Sequence, residues 1–425
     1  MKKLLLVLLS ICLLTLSACS NHVNLSDDND DCVVENVDST IVPDYTYNIV
    51  GTDQTNLYNN FTEVTDLQEG DPFYGQDGNY EGLEPLYKDN CDGTITDLNT
   101  GLMWSQSTDL NGDGSMTSED KMTYSEAVDS VQSFDLAGYD DWRLPTIKEL
   151  YSLILFSGED VSGYNGTDTS SLTPFIDTDY FEFYYGLTDE GERIIDSQYL
   201  SSTTYVDTDN YDTLIFGVNF ADGRIKGYGM RGMDGSDKTF SIIYVRGNEQ
   251  YGENDFYDNQ DGTITDNATG LMWMQSGSED TYNWEEALSY AEGMDFAGYD
   301  DWRLPTIKEL QSIIDYTKSP DTSNSPAIDE LFTLTSFMNE GNELDWGYYW
   351  SGTTHNSYRD ASNAAYVSFG RALGYMNNWI DVHGAGAQRS DPKTGNPDDY
   401  PTGFGPQGDA IRIYNYVILV RDTNE

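Results

Sequence analysis

Apolar positions along this chain change their spacing in a fixed order, and the order occurs twice. One copy reads Thr94-Ile95-Thr96-Asp97, then Gly101-Leu102-Met103-Trp104; the other reads Thr263-Ile264-Thr265-Asp266, then Gly270-Leu271-Met272-Trp273. Alternation interrupted by Asn, Thr and Gly predicts a turn between two short strands. The spacing then becomes helical. Trp284, Ala287, Leu288 and Ala291 fall on one face, as do Ile147, Leu150, Tyr151 and Ile154 in a later segment. Capping boxes mark the helix starts at Thr123 with Glu126, Asn283 with Glu286, and Thr146 with Glu149. A long Gly-, Asn- and Tyr-rich stretch follows, and each copy ends in an apolar run, Ile242–Arg246 or Tyr416–Arg421. Two helices, several short strands and much irregular chain per copy predict an α+β class.

Ala137-Gly138-Tyr139-Asp140-Asp141-Trp142-Arg143-Leu144-Pro145-Thr146-Ile147-Lys148-Glu149-Leu150 returns unchanged as Ala297 through Leu310. Two blocks in the same order, far apart in each copy, mean a duplicated domain; a solenoid would repeat every ~20–50 residues. The expected organisation is a signal peptide over 1–18, an acidic tether over 19–44, and tandem domains over 45–247 and 248–425. Tyr45 to Leu86, rich in Asn, Asp, Gly and Tyr, is expected to cover the first domain.

Lys2 and Lys3 precede an apolar run from Leu4 to Leu14, of signal-peptide length and too short to span a bilayer. Leu16-Ser17-Ala18-Cys19 resembles a bacterial lipoprotein box, which implies lipidation of Cys19 and a membrane anchor. Ser20, where an inner-membrane lipoprotein would carry Asp, implies the outer membrane or cell surface. The alternative is an ordinary secretory signal cleaved near Ala18. Cys12 leaves with the signal, so Cys32 and Cys91 are expected to form a disulfide in an oxidising compartment. Two free thiols or intermolecular pairing are the alternatives.

The chain has 74 Asp and Glu against 21 Lys and Arg, a formal charge of -53. Such a field repels nucleic acid, anionic lipid and sulfated polysaccharide unless a metal intervenes. It fits solubility in a salty medium, or calcium binding. With 38% hydrophobic residues, 13% aromatics and 32 Tyr, this is a folded chain and not an acidic disordered one.

The blocks around Asp92–Trp104 and Asp140–Leu150, with Ser201-Ser202-Thr203-Thr204 and its looser twin Ser351-Gly352-Thr353-Thr354, resemble the Lcl C-terminal domain family. The resemblance covers nearly all of the chain after Tyr45. Arg-Leu-Pro-Thr ahead of a helix also resembles the formylglycine-generating-enzyme branch of the C-type lectin superfamily. The implied fold is two tandem C-type-lectin-like domains with short strands, two helices each and long loops. Many family members bridge the first helix to the last strand with cysteines. Here those places hold Val131 and Tyr244, and Ala291 and Leu419, so apolar packing is expected instead. The redox-active cysteines of the formylglycine-generating enzymes are missing, and that activity does not carry over.

One stretch has metal-ligand spacing. Asp109, Asn111, Asp113, Ser115, Thr117 and Asp120 stand at the ligand positions of an EF-hand loop, with Gly114 at its sharp turn and Met116 packing inward. Asp120 replaces the usual Glu. The loop lies in an insertion that makes Trp104 to Trp142 nine residues longer than Trp273 to Trp302. One Ca2+ with a structural role is expected; a solvated loop that binds nothing is the alternative. Of the three histidines, His22 lies in the tether, and His355 and His383 are expected at the surface or hydrogen-bonded within a loop. No catalytic set is visible. In the second domain, Trp346, Tyr348, Tyr358, Arg359, Tyr375, Asn377, Asn378 and Trp379 mix flat apolar faces with amide and guanidinium donors, suited to sugar rings or protein surfaces. The reading is a non-catalytic, surface-exposed adhesion module for a glycan or protein. The alternative is an envelope hydrolase that uses a carboxylate pair on polysaccharide or peptidoglycan.

Overall fold

The computed structural model describes residues 45–205, 213–232 and 235–423. The signal sequence, Cys19, the tether and Cys32 therefore lie outside the described residues. An N-terminal arm over 45–84 carries one small hairpin, β1 (Leu57–Tyr58) with β2 (Glu63–Val64). The first repeat runs β3 (Tyr87–Asp89), β4 (Thr94–Asp97), β5 (Leu102–Ser105), α1 (Tyr124–Ser130), α2 (Ile147–Tyr151), β6 (Gln198–Thr204), β7 (Leu214–Asn219), β8 (Arg224–Gly229) and β9 (Val245–Gly247). The second runs β10 (Phe256–Asp258), β11 (Thr263–Asp266), β12 (Leu271–Met274), α3 (Trp284–Glu292), α4 (Ile307–Ser312), β13 (Ser336–Met338), β14 (Leu344–Trp346), β15 (Tyr348–His355), β16 (Asn363–Ser368), β17 (Leu373–Tyr375), β18 (Trp379–Asp381), β19 (Gln388–Pro392) and β20 (Val420–Asp422). Each repeat builds a four-stranded sheet, β3-β4-β5-β9 or β10-β11-β12-β20, and a three-stranded one, β6-β7-β8 or β15-β16-β19. Neighbouring strands in these sheets run antiparallel. The class is α+β, rich in short strands.

Local chemistry explains the duplicated blocks. At the β4–β5 turn the Asp97 carboxylate accepts the amides of Asn99 and Thr100, and Gly101 takes the left-handed conformation at φ 74°. The resulting register sets Ile95 opposite Trp104, and β11–β12 likewise sets Ile264 opposite Trp273; all four are fully buried. The capping boxes form at Thr123, Thr146, Asn283 and Thr306. Helix α2 is shorter than its apolar stripe because it tightens after Leu150 into bonds between residues three apart, Leu153 to Leu150 and Ile154 to Tyr151. The Ser-Ser-Thr-Thr block forms a bulge in β6 that holds this helix. Ser201 Oγ donates to the Phe216 carbonyl, and Thr203 Oγ accepts the orphan Ile147 amide at 3.0 Å. Ser351 and Thr353 do the same for Ala365 and Ile307.

The Asp-Asp-Trp-Arg block forms a structural corner around a buried Trp, in which its Asp pairs with an Arg from another strand rather than with its own. Trp142 and Trp302 are buried and donate their indole N–H to the carbonyls of Leu136 and Phe296. Asp141 instead pairs with Arg246 on β9 at 2.6 Å, and Asp301 with Arg421 on β20 at 2.7 Å. Arg143 and Arg303 take Glu149 and Glu309, because the N-cap after Pro145 or Pro305 folds the third helical residue back beneath them.

The terminal apolar runs join their sheets only from Val245 and Val420. Just upstream, Ser241 bonds to β6, and Tyr416 to β15. Tyr244 stacks on Phe134 with ring centroids 3.8 Å apart, in one apolar cluster with Val131. Ala291 and Leu419 share the matching cluster of the second repeat. Apolar packing thus occupies both places where the family resemblance implied a bridge.

Each repeat keeps this private core under its first helix, and a third core is common to both. That shared core contains Trp104, Ile147 and Leu150 with Trp273, Ile307 and Leu310. Repeats and arm fall in one compact unit. The duplicated lysines cross between them. Lys148 Nζ donates to the carbonyls of Ser312 (2.7 Å) and Gly252 (2.8 Å) and to Asn254 Oδ1, while Lys308 Nζ donates to Ser152 (2.9 Å) and Gly51 (3.1 Å). Burial lowers both ammonium groups, Lys148 to about 8 and Lys308 to about 7.

The arm was expected over the first repeat, and the structure corrects that: it bonds to both. Gln54 donates to the carbonyls of Phe156 and Thr354 and accepts the Thr354 amide. Asp77 accepts the Thr353 hydroxyl at 2.6 Å, and Tyr80 donates to Glu292. The arm has no duplicate against which its partners could be read.

Candidate functional site

The eight residues singled out for ligand contact separate into three places. Trp346 and Tyr348 belong to the framework. Tyr348 is buried at the start of β15, donates its hydroxyl to the Arg371 carbonyl, and carries the Arg412 guanidinium 4.1 Å over its ring. Trp346 is half-buried against the shared core. For Tyr348 the ligand-contact expectation is corrected: β15 is covered along its whole length, so its aromatics fill space between elements, whereas Trp346 at the end of β14 keeps part of its ring in solvent.

Tyr375, Asn377, Asn378 and Trp379 sit on the β17–β18 hairpin, which has no counterpart among the described residues of the first repeat. Its base is fixed. The half-buried Asp381 carboxylate accepts the amides of Ala372 and Gly384 and the Tyr205 hydroxyl, and desolvation by its neighbours pushes it up to about 6. The Tyr375 amide is bonded to the Gly408 carbonyl. Asn377 takes the left-handed conformation at φ 72°, which Asn tolerates, and turns the tip outward. Tyr375 meets Trp379 edge-on at 5.3 Å. Around them Met376 is 50%, Ile380 43% and Phe404 69% exposed, in a protein that has the means to bury such residues. Sequence reasoning missed Met376, Ile380 and Phe404; the available signal was large apolar side chains inside an Asn- and Gly-rich stretch.

Tyr358 and Arg359 lie elsewhere, in a groove of about 470 Å3 where the arm, the first repeat and the second repeat meet. Arg359 stacks 4.9 Å over the Tyr358 ring and bonds to its hydroxyl, and both reach the Gly163 carbonyl. A second cavity, of about 300 Å3, is lined by Asp77, Tyr80, Arg303 and Glu309. Burial raises the Asp77 carboxyl to about 7 despite hydroxyl bonds from Thr353 and Thr52. Burial would raise Glu309 too, but the Arg303 guanidinium holds it below the usual range.

In the calcium-like loop the side-chain oxygens turn inward onto loop amides. Asp109 accepts Gly112 and Gly114, Asn111 accepts Asp113, and Asp113 accepts Ser115, at 2.7–2.9 Å. Asp120 is fully buried and accepts Thr117 and Asn111; Ser115 is exposed. Met116 is half-buried and receives the Thr108 hydroxyl, and the loop exits into a single 3-10 turn, Ser118–Asp120. Among the described residues no three His, Cys, Asp or Glu side chains gather closely enough to hold a metal ion.

The histidine expectation is corrected for His355. It is buried between the repeats, stacked on Phe175 at 5.2 Å, and burial pushes it down to about 3, so it is neutral. His383 is also buried, and its Nε2 bonds to Asp409 at 3.1 Å. Cys91 is disulfide-bonded, and its partner lies outside the described residues.

The Lcl C-terminal domain model matches residues 93–246 and again 262–383, together more than half of the chain. No curated protein and no solved structure matches.

Proposed function

This chain belongs to the Lcl C-terminal domain family, and we propose that it is a non-catalytic binding module, anchored by lipid at the outer membrane or cell surface, that holds a glycan or protein ligand on its second repeat. The observation that carries the reading is the β17–β18 hairpin, with a bonded base and an exposed tip of Tyr375, Met376 and Ile380 beside Phe404, and with Trp379 half-buried among them. Exposed apolar patches on soluble proteins mark interaction surfaces. A C-type-lectin-like fold is supported by a four-stranded and a three-stranded antiparallel sheet and two helices in each repeat, with irregular chain before the last strand. Tyr375→Ala and Trp379→Ala in the full mature chain are expected to weaken binding to whole cells or to a panel of glycans and proteins. Together they should cost about 2 kcal/mol or more. Normal binding by folded variants places the surface elsewhere.

Lipidation of Cys19 rests on Leu16-Ser17-Ala18-Cys19, and pairing of Cys32 with Cys91 on cysteine arithmetic. Mass spectrometry of the mature chain without reduction checks both, expecting a lipidated Cys19 and a bridged Cys32–Cys91 peptide. An unmodified Cys19, or Cys91 joined to another cysteine, overturns the corresponding assignment.

One Ca2+ in the first repeat, held by Asp109, Asn111, Asp113, Ser115, Thr117 and Asp120, is the cofactor reading. It is supported by the ligand spacing and by carboxylates that already face the loop interior. Calcium should raise the melting temperature of the wild type and not of Asp113→Ala. A wild-type melting temperature indifferent to chelator sinks the site.

The hydrolase reading is favoured by one observation, the cavity where Asp77 sits near 7 and Glu309 is held ionised. Two carboxyl groups whose environments push them apart are the arrangement of a general acid and a base. The Glu309–Arg303 tie is repeated as Glu149–Arg143, which marks it as framework and places this reading second. Release of reducing ends from polysaccharide or peptidoglycan by the full chain, lost in Asp77→Asn, would support it; no release by the wild type rejects it.

A further inference from the structure

The groove between arm and repeats is built from three separate segments, and each is fastened. Asp160 of the first repeat exchanges backbone bonds with Asn356 and Tyr358 of the second, at 2.9 and 3.2 Å. The Ala361 amide donates to the Phe61 carbonyl on the arm at 3.0 Å. Gln54 ties the arm to both repeats from below. The cleft is therefore preformed, and its volume of about 470 Å3 falls in the range of ligand clefts. Neither repeat has this groove without the other.

Its lining has two kinds of chemistry. Phe61 on the arm is 58% exposed and offers a free ring at the groove wall. Four carboxylates stand around it: Asp53, Glu63, Glu159 and Asp360. Arg359 is the single cation among the described lining residues, and its guanidinium is bonded to neutral groups, the Tyr358 hydroxyl and the Gly163 carbonyl. The groove thus carries a surplus of negative charge beside an exposed aromatic ring. Carboxylates with a π-face select ammonium or guanidinium groups on a flexible stem. Acidic saccharides and phosphates are repelled by the same set, and by the chain's overall charge of -53, which steers cations inward.

We infer that this groove docks an extended polypeptide segment bearing lysine or arginine, at a site separate from the β17–β18 hairpin. Alternate side chains of an extended segment point the same way, so basic residues two apart would face the carboxylates together. Phe61 would cover their aliphatic stems.

The test uses the full mature chain and a labelled peptide, Lys-Gly-Lys-Gly-Lys-Gly, in fluorescence anisotropy at physiological salt. One variant combines Glu63→Gln, Glu159→Gln and Asp360→Asn. A charge-matched control combines Asp129→Asn, Asp398→Asn and Asp399→Asn, all exposed and away from the groove lining. The groove triple is expected to weaken binding about tenfold or more and the control less than about twofold, since screening confines the effect to nearby charges. Phe61→Ala should lose about threefold or more through its stacking face. Equal losses in the two triples mean non-specific attraction to an acidic chain and overturn the inference. So does a wild type that does not bind the peptide, or that prefers the Glu-for-Lys version of it. The variants leave residues 373–381 unchanged, so failure here does not touch the hairpin reading.

Discussion

Arg303→Ala is expected to cost about 3–5 kcal/mol of stability, the range for breaking a buried ion pair from one side. Arg303 reaches both Glu309 oxygens, at 2.7 and 2.8 Å, and Asp422 at 3.1 Å. Its side chain and that of Glu309 are each 11% exposed. Without the guanidinium, burial would strand an ionised Glu309 with only the backbone and hydroxyl of Thr306. The duplicate supplies the control. Arg143 makes one contact to Glu149 and its side chain is 28% exposed. Burial holds Glu149 above the usual carboxylate range even with Arg143 beside it. Arg143→Ala should therefore cost only about 1–2 kcal/mol. Urea midpoints of the two variants decide it. Equal losses would mean that burial does not set the strength of this repeated pair.

The second large effect is a pH dependence carried by Asp77. Burial raises its carboxyl from 3.8 to about 7, with the Thr353 and Thr52 hydroxyls pulling the other way. A raised carboxyl favours the protonated form in the folded state. Its contribution is present in full below the unfolded value and is lost as pH rises from about 4 through about 7. At about 1.4 kcal/mol per pH unit, the ceiling on that loss is roughly 4 kcal/mol. Asp77→Asn stays neutral throughout and still accepts from the two threonines. The variant should be more stable than the wild type at pH 8, and the gap should close toward pH 4. A stability difference that stays constant between pH 5 and pH 8 would falsify the assignment. The arm is the element at stake, because Asp77 is where it is fastened to Thr353 of the second repeat.

The parts that were legible in the sequence share one property: their interactions are local or are repeated. Capping boxes at Thr123, Thr146 and Asn283 close over three residues. The β4–β5 and β11–β12 hairpins close over a few residues with Asp and Gly in required places. The duplicated blocks announced the two helices and the short strands of each copy, and the family. The family resemblance in turn implied that Val131 with Tyr244, and Ala291 with Leu419, are packed positions, and each pair shares an apolar cluster.

Tertiary structure decided everything that depends on which distant segments meet. The sequence put Asp141 and Arg143 side by side, yet Asp141 found Arg246, 105 positions away, and Arg143 turned back to Glu149. The eight aromatic and polar candidates of the second repeat looked alike in a Tyr- and Asn-rich stretch. Strand pairing buried Tyr348, left the β17–β18 tip in solvent, and drew Tyr358 and Arg359 into a groove with an arm some 300 residues distant. No local rule predicts burial of a tyrosine, because its ring suits a core and a binding surface equally. By itself the sequence determined the repeated framework, where each residue answers to a neighbour or to its own duplicate. The shared core, the crossed lysines and the groove come from the packing of one copy and the arm against the other, for which the chain holds no second example to compare.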